Sequence, residues 1–203
     1  SGAVTAAAAE KCFRAGLSDN EYKAVSSDIK NKYTLELLKK EAVKMCLVVN
    51  EQLTNSRFVN IGTEMRFGFS GAKAKAIELK AGKKIIRLHG VVDRVDAKDG
   101  KCVVIDYKSG SNVAYDEGLL YMGQKLQLLV YMCAVVQNFG FKPAGMYYFK
   151  LHDNFVDKGA EDKAYKYIGR TIADKDVIAD IDTAFCQNNA SARLGVSLNK
   201  DGT

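Results

Sequence analysis

The sequence lacks the features that mark several other classes of protein. Its apolar runs fall well short of the ~20 residues that a membrane-spanning helix needs. The alanine-rich start, residues 6–9, has neither the charged segment nor the long apolar segment of a signal peptide. There is a single proline, and no internal repeat or linker divides the chain. We therefore expect one domain over residues 1–203, with no membrane association.

The five cysteines are odd in number and scattered, and they include no Cys-x-x-Cys pair. They are Cys12, Cys46, Cys102, Cys133 and Cys186. This pattern is typical of reduced thiols in a cytosolic protein. It argues against a disulfide framework and against a zinc site.

The composition is that of an ordinary globular protein, with 47% hydrophobic and 27% charged residues in a chain of 203. The net charge of +6 and the pI of about 8.9 are mildly basic. This balance favours a polyanionic partner such as nucleic acid, although a soluble protein of this size can carry it without one.

The chain begins with Ser1-Gly2 rather than methionine, so we expect a fragment of a larger protein. A chain of this length can bury a sizeable core. Within the single domain we expect an N-terminal helical part at 1–57, a core at 58–151, and a C-terminal helix and tail at 152–203.

Hydrophobic periodicity predicts helices at 5–17, 34–55, 117–139 and 174–187, and strands at 58–69, 76–79, 85–96 and 144–151. Thr34 is the expected N-cap of the second helix, and Gly140 is the expected end of the third. The buried stripe of the second helix is predicted to contain Leu37, Leu38, Ala42, Met45, Cys46 and Val49. The tail from Asn188 is expected to be poorly ordered. The order predicts an α/β (α+β) domain with a mixed central sheet, a β-meander and flanking helices.

The stretch from Leu88 to Gly110 is predicted to form a β-hairpin. Two runs rich in valine and isoleucine flank Asp99-Gly100, a dipeptide that favours a two-residue turn with positive φ at both positions. Lys98 would pair with Lys101, and counting outward places Asp93 opposite Asp106.

Because side chains alternate along a strand, Asp93, Asp106 and Lys108 would share one otherwise apolar face. Facing carboxylates repel, so this placement is stable only if one is protonated or a cation lies between them. Mg²⁺ prefers such oxygen ligands. The alternative is that the register is shifted by one residue and that these are solvated charges. Arg94, on the opposite face, is expected to be structural and to pair with an acid such as Asp96.

Four motifs occur in order along the chain: Glu64; Gly90-x-x-Asp93-Arg94; Ile105-Asp106-Tyr107-Lys108-Ser109-Gly110; and Gln127-x-x-x-Tyr131. In this order they resemble the motifs of PD-(D/E)XK nucleases of the RecB and AddB type. The likeness covers about residues 58–150, and residues 142–149 resemble the AddB branch in particular. The resemblance implies a restriction-endonuclease-like core and metal-dependent cleavage of DNA.

The resemblance also implies roles for particular residues. Asp93, Asp106 and the backbone carbonyl of Tyr107 would bind Mg²⁺ or Mn²⁺, and Glu64 would bind it directly or through water. Lys108 would orient the attacking water or stabilise the charge that develops on the phosphate. A plain ion pair between Lys108 and Asp106 is the alternative.

Gln127 and Tyr131 lie four residues apart, so they share a helical face. The resemblance implies that this face contacts DNA or orients Lys108 and water. The alternative is a buried tyrosine packed beside a glutamine that bonds to backbone.

The resemblance implies that the domain belongs to the AddB-type component of a bacterial cytoplasmic helicase/nuclease complex. A helicase/nuclease partner of the AddA type and a single strand delivered by the helicase are therefore expected, in double-strand break processing. The resemblance also implies an iron–sulfur cluster in the full-length protein, and the cysteines expected for it are absent from this sequence. Two other functions remain open: a catalytically idle nuclease fold that binds DNA, and a stand-alone exonuclease like those associated with CRISPR systems.

Overall fold

The computed structural model describes residues 4–110, 113–151, 165–188, 190–191 and 193–197. Its contacts divide into two compact units, Ser1–Thr54 and Asn55–Thr203. The described part contains no helix with the length and hydropathy of a membrane span.

The first unit consists of three helices: α1 (Ala6–Ala15), α2 (Asp19–Ser26) and α3 (Ile29–Thr54). The Thr5 side chain caps α1 by accepting a hydrogen bond from the Ala8 amide. A capping box between Ser18 and Glu21 begins α2, as the side chain of each residue bonds to the backbone of the other. Local sequence therefore determines where these two helices begin.

Helix α3 begins five residues before the predicted N-cap. The Asp28 carboxylate accepts a hydrogen bond from the Asn31 amide, so the chain is already helical when it reaches Thr34. The predicted stripe is also wrong, because Leu37 is 43% and Leu38 50% exposed. The buried positions are Leu35 and Gln52. Periodicity located the helix but not the face that it buries, because a stripe is buried only where another element covers it.

The second unit is built on a five-stranded mixed sheet with the order β1-β4-β5-β6-β7. Its strands are β1 (Val59–Phe67), β4 (Gly90–Lys98), β5 (Lys101–Lys108), β6 (Lys142–Lys150) and β7 (Tyr167–Thr171). Neighbours are antiparallel except for β5 and β6, which are parallel and flank the chain segment that contains the helix α5 (Gln127–Phe139). The predicted α/β class with a mixed central sheet is confirmed.

The predicted strand at 85–96 is in fact two strands. β2 (Ile77–Ala81) and β3 (Lys84–Leu88) form a separate two-stranded sheet, and the chain passes into β4 at Gly90. A Cβ at Gly90 would lie 2.9 Å from two ring carbons of Phe67, so only glycine allows this close approach.

The predicted helix at 117–139 is also interrupted. α4 (Glu117–Tyr121) ends before Gly123, and α5 begins at Gln127. Gly123 and Lys125 both have left-handed backbones, with φ of 76° and 52°, which a continuous helix does not allow. Gly140 ends α5 with φ of 72°, as predicted.

The C-terminal part is more regular than expected. β7 was not predicted, and the predicted helix at 174–187 is divided into α6 (Lys175–Ile181) and α7 (Phe185–Asn188). The expectation of a poorly ordered tail is wrong for β8 (Ala190–Ser191) and β9 (Val196–Ser197), which pair with each other. Residues 152–164 and 198–203 lie outside the described residues.

Helix α5 packs on the sheet and covers the face that bears Val95, Cys102 and Val104, each with 0% exposure. Met132 and Val135 of α5 belong to the same cluster. Burial raises the pKa of the Cys102 thiol to about 11, so this cysteine acts as a core residue. The core therefore fixes α5 over the strands that carry the candidate site.

Candidate active site

The hairpin of β4 and β5 closes through the two-residue turn Asp99-Gly100, whose φ angles are 48° and 74°. Lys98 pairs with Lys101 beside this turn, and antiparallel pairing continues to Arg94 and Ile105. The predicted turn and register are confirmed. Asp-Gly accepts positive φ at both positions at low cost, which explains why the local sequence determines this register.

Beyond the last pair, the hairpin brings Asp93 toward Asp106. Asp93 Oδ2 accepts a hydrogen bond of 2.8 Å from the Tyr107 amide on the facing strand. Asp106 is 1% exposed. Burial raises the pKa of its carboxyl group, Lys108 opposes that increase, and the charge of Asp93 adds to it. The buried Asp106 carboxylate and the half-buried Asp93 carboxylate therefore interact unfavourably, which a bound cation would relieve.

Lys108 is the cation of the described site. Its Nζ lies 2.5 Å from Asp106 Oδ2 and 2.6 Å from Gln127 Oε1. The ion pair with Asp106 is close, and Oδ2 has no further hydrogen-bond partner among the described residues. The same Nζ lies 5.3 Å from the ring centroid of Tyr148. Lys108 thus forms the predicted ion pair and also contacts the predicted glutamine.

Gln127 and Tyr131 extend this chain of contacts along α5. Gln127 Nε2 donates a hydrogen bond of 2.8 Å to the Tyr131 hydroxyl. The Tyr131 ring packs edge-on against Phe67, with centroids 6.2 Å apart. Because α5 begins at Gln127, the glutamine lies in the first turn and reaches Lys108 on β5. The structure therefore brings Asp106, Lys108, Gln127 and Tyr131 together in one row.

Glu64 is a predicted site residue that has no described contact with this row or with Asp93. It lies on β1 between two residues that pair with β4, Thr63 with Arg94 and Met65 with Val92. Its side chain is exposed, and its φ of 49° is unusual for a non-glycine residue within a strand. In the described part of the chain, no three His, Cys, Asp or Glu side chains are arranged to hold a metal. The role of Glu64 stays a prediction, as does that of the Tyr107 carbonyl.

Tyr148 is a site neighbour that the sequence analysis missed. It pairs with Asp106 in the parallel ladder of β5 and β6. The segment that contains it was predicted as a strand, but no local pattern specified β5 as its neighbour. The charge of Asp106 adds to the effect of burial in raising the pKa of the Tyr148 hydroxyl.

The opposite face of the hairpin carries a second buried acid, Asp96, which is 3% exposed. Arg94 binds both of its oxygens, at 3.0 and 2.5 Å, and Asn60 donates a further hydrogen bond at 3.0 Å. Arg94 also donates to the Tyr107 hydroxyl at 3.3 Å. The predicted structural pairing of Arg94 with Asp96 is confirmed.

Comparison with known proteins is consistent with this geometry. The family model described as the PD-(D/E)XK nuclease superfamily matches residues 2–193. The chain belongs to this superfamily, as the ordered motifs had suggested.

Curated relatives are about one-third identical to the chain over the aligned residues. The B subunit of the ATP-dependent helicase/deoxyribonuclease of Clostridium kluyveri is 32% identical, over 92% of this chain and 18% of the relative. The protein of the same name from Clostridium novyi is 34% identical, over 88% of this chain and 17% of its own length. The one from Thermoanaerobacter sp. is 31% identical, over 91% of the chain and 18% of the relative. The chain thus spans less than a fifth of the length of these relatives.

Proposed function

We propose that the chain is a metal-dependent deoxyribonuclease domain that hydrolyses phosphodiester bonds in DNA. The single observation that carries the proposal is the state of Asp106. Its carboxylate is buried and faces the charge of Asp93, and its Oδ2 lies 2.5 Å from the Lys108 ammonium with no further hydrogen bond among the described residues. Two carboxylates beside this one ammonium group leave an excess of negative charge, so the arrangement indicates a role in binding a cation.

The donor set suits Mg²⁺ or Mn²⁺, since both prefer oxygen ligands. Asp93 and Asp106 would hold the ion, with the Tyr107 carbonyl and Glu64 as further ligands, the latter directly or through water. When bound, such an ion acidifies water and neutralises charge on the phosphate. The like charges of Asp93 and Asp106, with Lys108 beside Asp106, are the observation that fits this role.

The remaining residues of the row would position the reacting groups. Lys108, held by Asp106 and Gln127, would direct its ammonium group at the phosphate or at the attacking water. Tyr131 would fix the orientation of the Gln127 amide through their hydrogen bond. This continuous row supports an active enzyme over a catalytically idle fold, because a protein that only binds DNA does not need it.

The names of the relatives, B subunits of an ATP-dependent helicase/deoxyribonuclease, and the family resemblance of the motifs together support a wider proposal. The domain would be part of the AddB-type component of a bacterial cytoplasmic helicase/nuclease complex, and with its AddA-type partner it would degrade a single strand delivered by the helicase. Its role would be exonuclease action in double-strand break processing and recombinational repair. The iron–sulfur cluster implied for full-length relatives would draw its cysteines from outside this chain.

The test is DNA cleavage by the full-length gene product with Mg²⁺ or Mn²⁺. Asp106→Ala should abolish cleavage, while Asp176→Ala, at an exposed aspartate of α6, should leave it unchanged. If Asp106→Ala degraded DNA as fast as the unmodified protein, the proposed function would be wrong.

A further inference from the structure

A cavity of about 260 Å³ opens beside Lys108. Its lining consists of Lys108, Val113, Ala114, Lys125, Leu126, Gln127 and Tyr148. Lys108 and Gln127 belong to the candidate active site, so whatever fills the cavity lies next to the reacting groups. The volume is below the roughly 300–1,000 Å³ of sites that enclose drug-sized ligands, so the cavity suits one small unit of a longer molecule.

The walls of this cavity combine apolar and cationic groups. Val113, Ala114 and Leu126 contribute apolar surface, and Tyr148 contributes an aromatic ring. A nucleotide has the complementary character, since its base and sugar present apolar surface and its phosphate is anionic. A polypeptide segment would match the apolar walls without requiring the lysines.

Lys125 differs from Lys108 in its contacts. Lys108 is engaged by a carboxylate and by the Gln127 amide oxygen. The described contact of Lys125 is a hydrogen bond of 3.2 Å to a neutral acceptor, the Ala114 carbonyl, and its side chain is exposed. Its positive charge is therefore not neutralised by this contact, and the contact holds it at the cavity wall.

We propose that this cavity binds the nucleotide next to the scissile phosphate and that Lys125 contacts the phosphate of that nucleotide. The inference rests on the proposed nuclease function and adds a substrate subsite to it. Lys108 would contact the reacting phosphate, and Lys125 would contact the adjacent phosphate of the strand. Lys125 is thus a binding residue that sets where the strand lies.

The backbone at Lys125 permits a clean substitution. Its φ of 52° is a conformation that glycine adopts more easily than lysine, so Lys125→Gly removes the side chain without straining the loop. The variant should unfold at the same temperature as the unmodified protein or at a higher one. A loss of DNA binding would then not come from misfolding. Lys83→Gly, in the exposed turn between β2 and β3, removes the same charge and is the matched control.

The experiment measures binding of a single-stranded DNA oligonucleotide by fluorescence anisotropy, using the full-length gene product with EDTA present. Lys125→Gly should raise the Kd about fivefold at low salt and reduce the slope of log K against log salt by ~0.7, as expected for one lost phosphate contact. Lys83→Gly should leave both quantities near those of the unmodified protein.

A neutral methylphosphonate linkage then locates the contact. It replaces one phosphate at a time on either side of the cleavage position. At the phosphate that Lys125 contacts, the penalty of Lys125→Gly should disappear, as in a double-mutant cycle. The subsite is overturned if Lys125→Gly binds like the unmodified protein, or if its penalty persists at both neighbouring positions.

Failure of the nuclease proposal would be seen in the cleavage assay and not in the binding assay. In that case the unmodified protein would show no metal-dependent cleavage, whatever the binding data. Cleavage without any effect of Lys125→Gly on binding would overturn only the subsite.

Discussion

The β4–β5 hairpin buries two aspartates on opposite faces, and the two carboxylates differ in how far they are satisfied by partners. Asp96 is 3% exposed, and its oxygens receive hydrogen bonds from Arg94 and Asn60. Asp106 is 1% exposed, its Oδ2 is paired with Lys108 but has no further hydrogen bond among the described residues, and Asp93 adds a like charge. Two similarly buried carboxylates are therefore satisfied to different extents.

The difference shows how structural and functional charges can be told apart. A buried charge that contributes to folding has its partners within the protein, because an unsatisfied ion costs several kcal/mol. A charge reserved for a ligand stays under-satisfied until the ligand binds. By this criterion Asp96 is structural, and the shortage of partners at Asp106 supports the proposal that it binds a metal, although the two residues lie on the same hairpin.

The largest expected effect is on catalysis. Asp106→Ala should lower metal-dependent DNA cleavage by the full-length protein by at least about a hundred- to a thousandfold, because it removes the proposed metal ligand next to Lys108. Initial rates on single-stranded DNA measure this. Comparable loss in Asp176→Ala would show that the effect is not specific to the site.

The second-largest expected effect is a loss of stability from a substitution on the other face of the hairpin. Arg94→Ala leaves Asp96 buried without its cation and should lower the free energy of unfolding by about 3–5 kcal/mol. Urea denaturation measures this. Arg87→Ala is the matched control, because it breaks the exposed pair of Arg87 with Glu78 and should cost less than about 1 kcal/mol. Equal losses in the two variants would remove the distinction between buried and exposed pairs.

Asp106→Asn tests whether the charge of Asp106 destabilises the metal-free fold. The pKa of Asp106 is raised, so its charged form destabilises the metal-free fold above that pKa, and the penalty disappears as the pH falls toward 3.8. The variant should therefore melt at a higher temperature than the unmodified protein at neutral pH and at a similar one in acid. Asp96→Asn should instead lower the melting temperature at neutral pH.

Adding Mg²⁺ should make the unmodified protein more stable than Asp106→Asn. Mg²⁺ at a hundred times its Kd would stabilise the unmodified protein by about 2.7 kcal/mol and should stabilise Asp106→Asn much less. Differential scanning fluorimetry with and without Mg²⁺ measures both. An equal response of the two proteins to Mg²⁺ would contradict the assignment of Asp106 as a ligand.

The smallest effect concerns a more exposed acid. Burial acts to raise the pKa of Asp180, but Lys98 and Arg57 outweigh it, and the net pKa lies below 3.8. Asp180 therefore contributes stability above its ordinary pKa and loses it as the pH falls through the lowered value. Asp180→Asn should cost less than about 1 kcal/mol at neutral pH and nothing in strong acid, as measured by denaturation across pH. A penalty that persisted in acid would show that charge is not its cause.

Much of the candidate site could be predicted because its determinants are local. Asp99-Gly100 specifies the turn, and the alternation of the strands then places Asp93 and Asp106 on one face. Gln127 and Tyr131 share a helical face wherever the helix begins. The break between α4 and α5 was missed, although Gly123 was a visible signal, because apolar periodicity continues through it.

The sequence alone determined the turn, the strand alternation and the order of the motifs, since each depends on backbone preferences over a few residues. The tertiary structure alone decided that β3 leaves the sheet, that β6 lies parallel to β5 with Tyr148 beside Asp106, and which side of α3 is buried. Those outcomes depend on which distant surfaces cover one another. No short stretch of sequence encodes which surfaces pack together, because the burial of a residue depends on the whole tertiary structure.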